Sequence, residues 1–140
     1  MPVTALEHAT IRCSRLAETR DFYCRVLGLE DGARPAFPFR GHWLYLGGVP
    51  VIHLVEAADT KGAWGAGRGG HAESGHNDGG PADTGPFDHI AFQGDDFDAM
   101  RGRLVTENRL FRERIVPGGA LKQLFVPDPE GVLVEINFRA

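Results

Sequence analysis

Four residues of metal-ligating type recur at matched positions along this chain: His8, His53, His89 and Glu135. His8 and His89 are 81 residues apart, and His53 and Glu135 are 82 apart. Within each half the spacing is 45 residues, from His8 to His53, and 46 residues, from His89 to Glu135. Imidazole and carboxylate without thiolate suit Zn, Ni, Fe(II), Co or Mn, and do not suit a structural zinc cage. A metal held in this way acts as a Lewis acid or as a template for a chelating substrate. Taken singly, a strand histidine is more often a surface or hydrogen-bonded residue, and Glu135 in VLVEINF would face solvent as easily as a cleft, because strand side chains alternate. The matched positions, flanked by apolar residues, raise the set above that background. His8, His89 and Glu135 are expected as ligands of one divalent metal ion. His53 is the candidate fourth, and a three-ligand site would survive its loss.

The elements that must position these residues come as a repeat. Residues 4–13, around LEHATIRC, alternate as a strand does. Ser14 is placed to cap a helix with Glu18 in its first turn, carrying Leu16, Phe22, Tyr23, Val26 and Leu27 inward and stopping at Gly28. Strands follow over about 29–36, in HWLYLG and in VPVIHLVE, with a Gly47-Gly48 turn between the last two. Residues 57–86 are dominated by Gly, with Ala, Asp and His, and read as a long mobile loop. His71 and His76 within it are expected to be linker histidines, with a lid as the functional alternative. Trp64 is a candidate latch. The first pattern then recurs. GPFDHIAFQ reads as a strand, and Asp95 and Asp96 cap a helix to about Asn108 with Phe97, Met100, Leu104 and Val105 on one face. RLFRERIVP, KQLFVPDPEG and VLVEINF read as three further strands. The expectation is one α+β domain over 1–140 with two βαβββ modules, about 4–56 and about 87–139. Such a duplication brings equivalent strands together around a shared cleft. Phe37 and Phe39, in the Pro-bearing stretch RPAFPFRGHW, are candidates to wall an apolar substrate pocket.

LEHATIR, the helix ending FYCRVLGL, GPFDHIAF and the terminal FVPDPEGVLVEINF, with its D-P-x-G turn at Asp128–Gly131, resemble the vicinal oxygen chelate superfamily. That superfamily includes glyoxalase I, methylmalonyl-CoA epimerase, extradiol dioxygenases and fosfomycin- and bleomycin-resistance proteins. The resemblance covers nearly the whole chain apart from 57–86. It implies a half-barrel cleft, a divalent metal on His8, His53, His89 and Glu135, a small-molecule substrate and a homodimer. Bleomycin-binding members lack such ligands, so the full set points to an enzyme, with metal-free antibiotic binding as a third reading. Four ligands on an octahedral metal leave two positions for a substrate bound through two oxygens. That resembles glyoxalase I and makes Glu135 the general base of an isomerase or lyase. His53 stands where a bacterial glyoxalase I has a second glutamate, which leaves one carboxylate for proton transfer. Without His53 the set becomes a two-His, one-carboxylate triad suited to Fe(II). It then resembles an extradiol dioxygenase acting on a catechol, with His42 as the candidate second residue for oxygen chemistry. Arg12, four residues after His8, resembles the arginine that contacts the glutathione carboxylate in glyoxalase I; an exposed strand-end arginine is the plainer alternative. Lys122 is a candidate for the same cleft, with a solvated turn lysine as the alternative.

Composition narrows the partners. A net charge of −4 and the absence of any Lys/Arg run leave no footprint for nucleic acid. No apolar run is long enough to cross a membrane. MPVTALEHAT lacks a basic region followed by an apolar stretch, so no signal peptide is expected. Cys13 and Cys24 make neither a disulfide framework nor a zinc-thiolate site, and a cytoplasmic setting with reduced thiols is expected.

Overall fold

The computed structural model describes residues 2–57 and 80–140. The chain divides into two compact units, Met1–Ala72 and Glu73–Ala140. The first holds β1 (Ala9–Cys13), α1 (Leu16–Asp21) running into a π-helical turn (Phe22–Val26), β2 (Glu30–Gly32), β3 (Gly41–Leu46) and β4 (Val49–Glu56). The second holds β5 (His89–Gly94), α2 (Phe97–Thr106), β6 (Arg112–Ile115), β7 (Leu121–Pro127) and β8 (Leu133–Arg139). Each unit forms one four-stranded sheet, in the orders β1-β4-β3-β2 and β5-β8-β7-β6. In both, the first strand lies parallel beside the last and the remaining neighbours are antiparallel. This is the duplicated βαβββ architecture the sequence repeat predicts.

Alternation decides which side chains enter each core. Ile11, Cys13, Leu44, Ile52 and Leu54 are buried on one face of the first sheet, against Phe22, Tyr23 and Val26 of the helical segment. Leu124, Val126, Val134, Ile136 and Phe138 do the same in the second unit, beneath the buried Leu104 of α2. The residues between them in sequence, His53 and Glu135 included, therefore point to the opposite face. Four local expectations shift. β1 starts at Ala9, so His8 stands just before the strand. The cap of α1 falls on Arg15, one residue beyond Ser14. β2 shrinks to three residues, since Pro35 and Pro38 cannot donate to a ladder. Val105 is 58% exposed, because Leu104 alone takes the inward position in that turn of α2. The Asp96 cap forms as expected, its side chain accepting from the Ala99 N–H at 2.9 Å. Among the described residues no helix is long and apolar enough to cross a membrane.

The D-P-x-G turn delivers β8, and with it Glu135. The buried Asp128 carboxylate accepts from the backbone N–H groups of Glu130 (2.8 Å) and Val132 (2.9 Å). Gly131 sits at φ +88°, and a Cβ there would lie 2.5 Å from the Ala82 Cβ and 2.8 Å from its backbone nitrogen. That nitrogen donates to the Gly131 carbonyl at 2.8 Å. Gly118 has a similar φ of +97° but nothing within 4 Å of a built Cβ. Gly118→Ala is therefore expected to cost about 1–2 kcal/mol from left-handed strain alone. Gly131→Ala should cost clearly more, because backbone must also move. Urea unfolding of the two variants checks this, and equal costs would contradict the close approach.

Candidate metal centre

In the first unit, β1 and β4 pair so that Thr10 lies opposite His53. His8, two residues before Thr10, shares its face one step along. The His8 and His53 rings stack, with centroids 3.8 Å apart and planes at 12°. Trp43 is the partner of His53 on β3 and stacks on it from the other side, at 4.0 Å and 12°. His53 is thus a buried imidazole between two flat neighbours, 8% exposed, with Nε2 at 3.0 Å from the Pro50 carbonyl oxygen. Burial lowers its pKa below the ordinary histidine value. The nearby His8 adds to that, while the Pro50 carbonyl and Glu7 oppose it.

The second unit repeats the step. Ala91 lies opposite Glu135, and His89 stands two residues before Ala91. His89 Nε2 is 3.3 Å from Glu135 Oε1. The buried Glu135 carboxylate accepts at Oε2 from Asn137 Nδ2 (2.7 Å) and, at longer range, from Gln123 Nε2 (3.4 Å). Each first-strand histidine is also held by the acid just before it. His8 Nδ1 is 2.8 Å from Glu7 Oε1, and His89 Nδ1 is 2.8 Å from Asp88 Oδ2. An Nδ1–H donated to a carboxylate leaves the Nε2 lone pair free, which is how metal-binding imidazoles are set.

Among the described residues, no group of three or more His, Cys, Asp or Glu side chains stands close enough to hold a metal ion. What each unit supplies is a pair. The His89–Glu135 pair fits a cation. Two donors bound at about 2.1 Å and a right angle are about 3 Å apart, and the observed separation is 3.3 Å. With Nδ1 carrying the proton, Nε2 and Oε1 present two lone pairs to one another, an arrangement that calls for a positive charge between them. His8 fits as well through its free Nε2. His53 does not share an ion with His8 in this conformation. Imidazole lone pairs lie in the ring plane, and two parallel rings 3.8 Å apart have no common in-plane point.

Arg12 follows His8 and Thr10 on the same face of β1 and is half-buried. Lys122 is on the other face of its sheet from Glu135. It pairs with Phe138 and its Nζ lies 5.2 Å from the Phe97 ring centroid of α2, because strand alternation turns it toward the helix. His42, opposite the buried Leu54, is likewise on the helix side. Its Nδ1 is 2.8 Å from Asp31 Oδ2, which also accepts from Arg20 Nε at 2.6 Å. Phe39 stacks on Phe37 (5.0 Å, 9°) beneath the Arg34 guanidinium, and both line a groove with Leu16 and His42. Within the first unit Phe39 and His42 are thus placed away from His8 and His53, with Arg12 on the His8 face, and within the second unit Lys122 is placed away from Glu135. Trp64, His71 and His76 lie outside the described residues.

The chain belongs to the Glyoxalase/Bleomycin resistance protein/Dioxygenase superfamily, whose profile matches residues 5–136. The Arabidopsis thaliana protein "Glyoxylase I 4" is 28% identical over 137 residues, covering 96% of this chain and 70% of that protein. Two solved structures share the fold at lower identity. The fosfomycin resistance protein FosX from Listeria monocytogenes has a TM-score of 0.70 at 17% identity, covering 99% of this chain and 95% of that one. Lactoylglutathione lyase from Agrobacterium tumefaciens has a TM-score of 0.65 at 19% identity, covering 99% and 96%.

Sequence reasoning missed Trp43, Gln123, Asn137 and the acids Glu7 and Asp88. The signal for the amides was present: Gln123, Glu135 and Asn137 are polar residues inside apolar strand runs, and Glu135 and Asn137 are two apart. Because His53 is held neutral in the fold, the unfolded chain takes up its proton first as pH falls. The stabilisation is full above a pH of about 6.5 and is lost on acidification below it. His53→Phe keeps a flat ring in the stack and removes the titration. Its unfolding midpoint in urea should therefore fall less than the parent's between about pH 8 and pH 5. Equal slopes would contradict the shifted imidazole.

Proposed function

We propose that this protein is a metal-dependent enzyme of the glyoxalase I-like type, an isomerase or lyase for a small substrate that presents two adjacent oxygens. One divalent ion (Ni, Zn, Co, Mn or Fe(II)) is held by His8, His89 and Glu135, and His53 joins only if its ring turns away from Pro50. The observation that carries this reading is the juxtaposition of His89 Nε2 and Glu135 Oε1 at 3.3 Å, with the imidazole fixed from behind by Asp88. A bound ion supplies Lewis-acid polarisation of the substrate oxygens. The remaining work falls to side chains. Glu135, the one carboxylate of the proposed ligand set, is the group proposed to take a proton from carbon and return it. Arg12, on the His8 face, is the cation available for an anionic end of the substrate. The relative named as a glyoxylase, 28% identical, supports the reaction class, and the lyase shares the fold; a cytoplasmic homodimer is the state proposed with it.

One observation favours a second reading. The parallel His8 and His53 rings leave a two-His, one-carboxylate set, the donor type of Fe(II) oxygenases. His42 faces away with Asp31, which removes the residue considered for oxygen handling. The second reading, an extradiol dioxygenase, is therefore the weaker.

Protein stripped with chelator and reloaded with Ni, Co, Zn or Mn is expected to regain an oxygen-independent activity on substrates with adjacent carbonyl and hydroxyl oxygens. Glu135→Ala should lower kcat by about 10²–10⁴-fold, as loss of a general base does. His8→Ala and Glu135→Ala proteins that retain metal as well as the parent would falsify the site. Oxygen uptake and yellow products with catechols, seen only with Fe(II), would move the assignment to the dioxygenase.

A further inference from the structure

Glu135 is the end of a longer polar row. Arg114 on β6 lies opposite Gln123 on β7, and Gln123 lies opposite Asn137 on β8. Arg114 Nε donates to Gln123 Oε1 at 2.6 Å. Gln123 Nε2 donates to Asn137 Oδ1 at 2.9 Å. Asn137 Nδ2 donates to Glu135 Oε2 at 2.7 Å. Every direction in this row is forced. A guanidinium has donors only, so the amide of Gln123 must turn its oxygen toward Arg114 and its nitrogen toward Asn137. Asn137 must then turn its own nitrogen toward the carboxylate, which has acceptors only. The row begins on a cation and ends on an anion, so each bond polarises the next in one sense. Gln123 is 6% exposed, so no rival network with water is open to most of its atoms.

The consequence falls on one oxygen. Two amide donors fill Oε2, and Oε1 is the oxygen left beside His89 Nε2. We propose that Arg114, Gln123 and Asn137 are positioning residues that hold Glu135 for attachment through Oε1 alone, so that the centre selects a transition-metal-sized cation bound by one carboxylate oxygen over a calcium-sized cation that takes both. Calcium is satisfied by bidentate carboxylates at longer distances, whereas the smaller cations are held by single oxygens at about 2.0–2.2 Å. The cation part of this inference rests on the metal reading given above. The positioning part does not, because it concerns hydrogen bonds present without any ion.

Two measurements separate them. In metal-free protein, the side-chain NH₂ signals of Asn137 and Gln123 are followed by NMR. The parent should show both protected from exchange. Arg114→Ala, a change at an exposed edge-strand residue, should shift the Asn137 signal although the two residues share no contact. Glu135→Leu should collapse its protection. An Asn137 signal unmoved by Arg114→Ala overturns the relay. In the second measurement, Co(II) and Ca(II) affinities are taken by chelator competition for the parent, Arg114→Ala and Asn137→Leu. Asn137→Leu should weaken Co(II) binding about 10- to 100-fold, as loss of an outer partner does, and narrow the preference for Co(II) over Ca(II). A merely structural role would lower the melting temperature of the variants and leave that preference unchanged, which would overturn the selection. A parent that shows the NMR coupling but takes up no Co(II) overturns the metal reading and the cation selection, while the relay stands.

Discussion

The register of one parallel strand pair governs the chemistry of each unit. Where β1 meets β4, Thr10 faces His53, and where β5 meets β8, Ala91 faces Glu135. The residue two places before each of those partners is a histidine, so a single diagonal step places imidazole beside imidazole in one unit and imidazole beside carboxylate in the other. A slip of one residue would turn every one of these side chains into the core and expose Ile52, Leu54, Val134 and Ile136 instead. The apolar half of the alternation therefore fixes the polar half. Core packing and ligand placement are two faces of one constraint.

The two units use the same step for different ends. Glu7–His8 and Asp88–His89 are equivalent acid–imidazole dyads, with Nδ1 contacts of 2.8 Å in both. Beyond them the units diverge. His53 is packed between rings and held neutral, while Glu135 is gripped by amides that accept no proton and offer only N–H. One unit offers a rigid aromatic stack, and the other a charged oxygen whose free lone pairs point one way. Such division is what a duplicated module permits, since either copy can change its last-strand residue without disturbing the other's hydrogen bonds.

Much of the fold was legible in the chain because both modules obey strong local rules. Alternation marked the strands, Asp96 marked its helix, and the D-P-x-G turn marked the entry to β8. The repeat also led to His8, His53, His89 and Glu135 as two matched pairs, and each unit brings its own pair together. What escaped depended on cross-strand neighbours. Trp43 reads as an ordinary core aromatic until β3 is laid beside β4 in register. Lys122 and His42 look available in sequence, but each is one residue out of phase with the ligand face, and parity sends both toward the helices. The start of β1, the shortness of β2 and the exposure of Val105 were set by tertiary contacts and prolines rather than by propensity. The orientation of His53 was beyond any reading of residue types, because it turns on a single carbonyl, that of Pro50.

The crossing of Ala82 over Gly131 carries a further meaning for how such a chain tolerates change. The backbone arriving from the Gly-rich stretch is fastened to the turn that opens β8 by the bond from the Ala82 nitrogen to the Gly131 carbonyl, with no room for a side chain between them. Residues added to or removed from the stretch before Ala82 alter its length upstream of that fastening. Glu135 lies four residues beyond Gly131, on the far side of it. The place of the carboxylate is thus set by the chain from Ala82 onward.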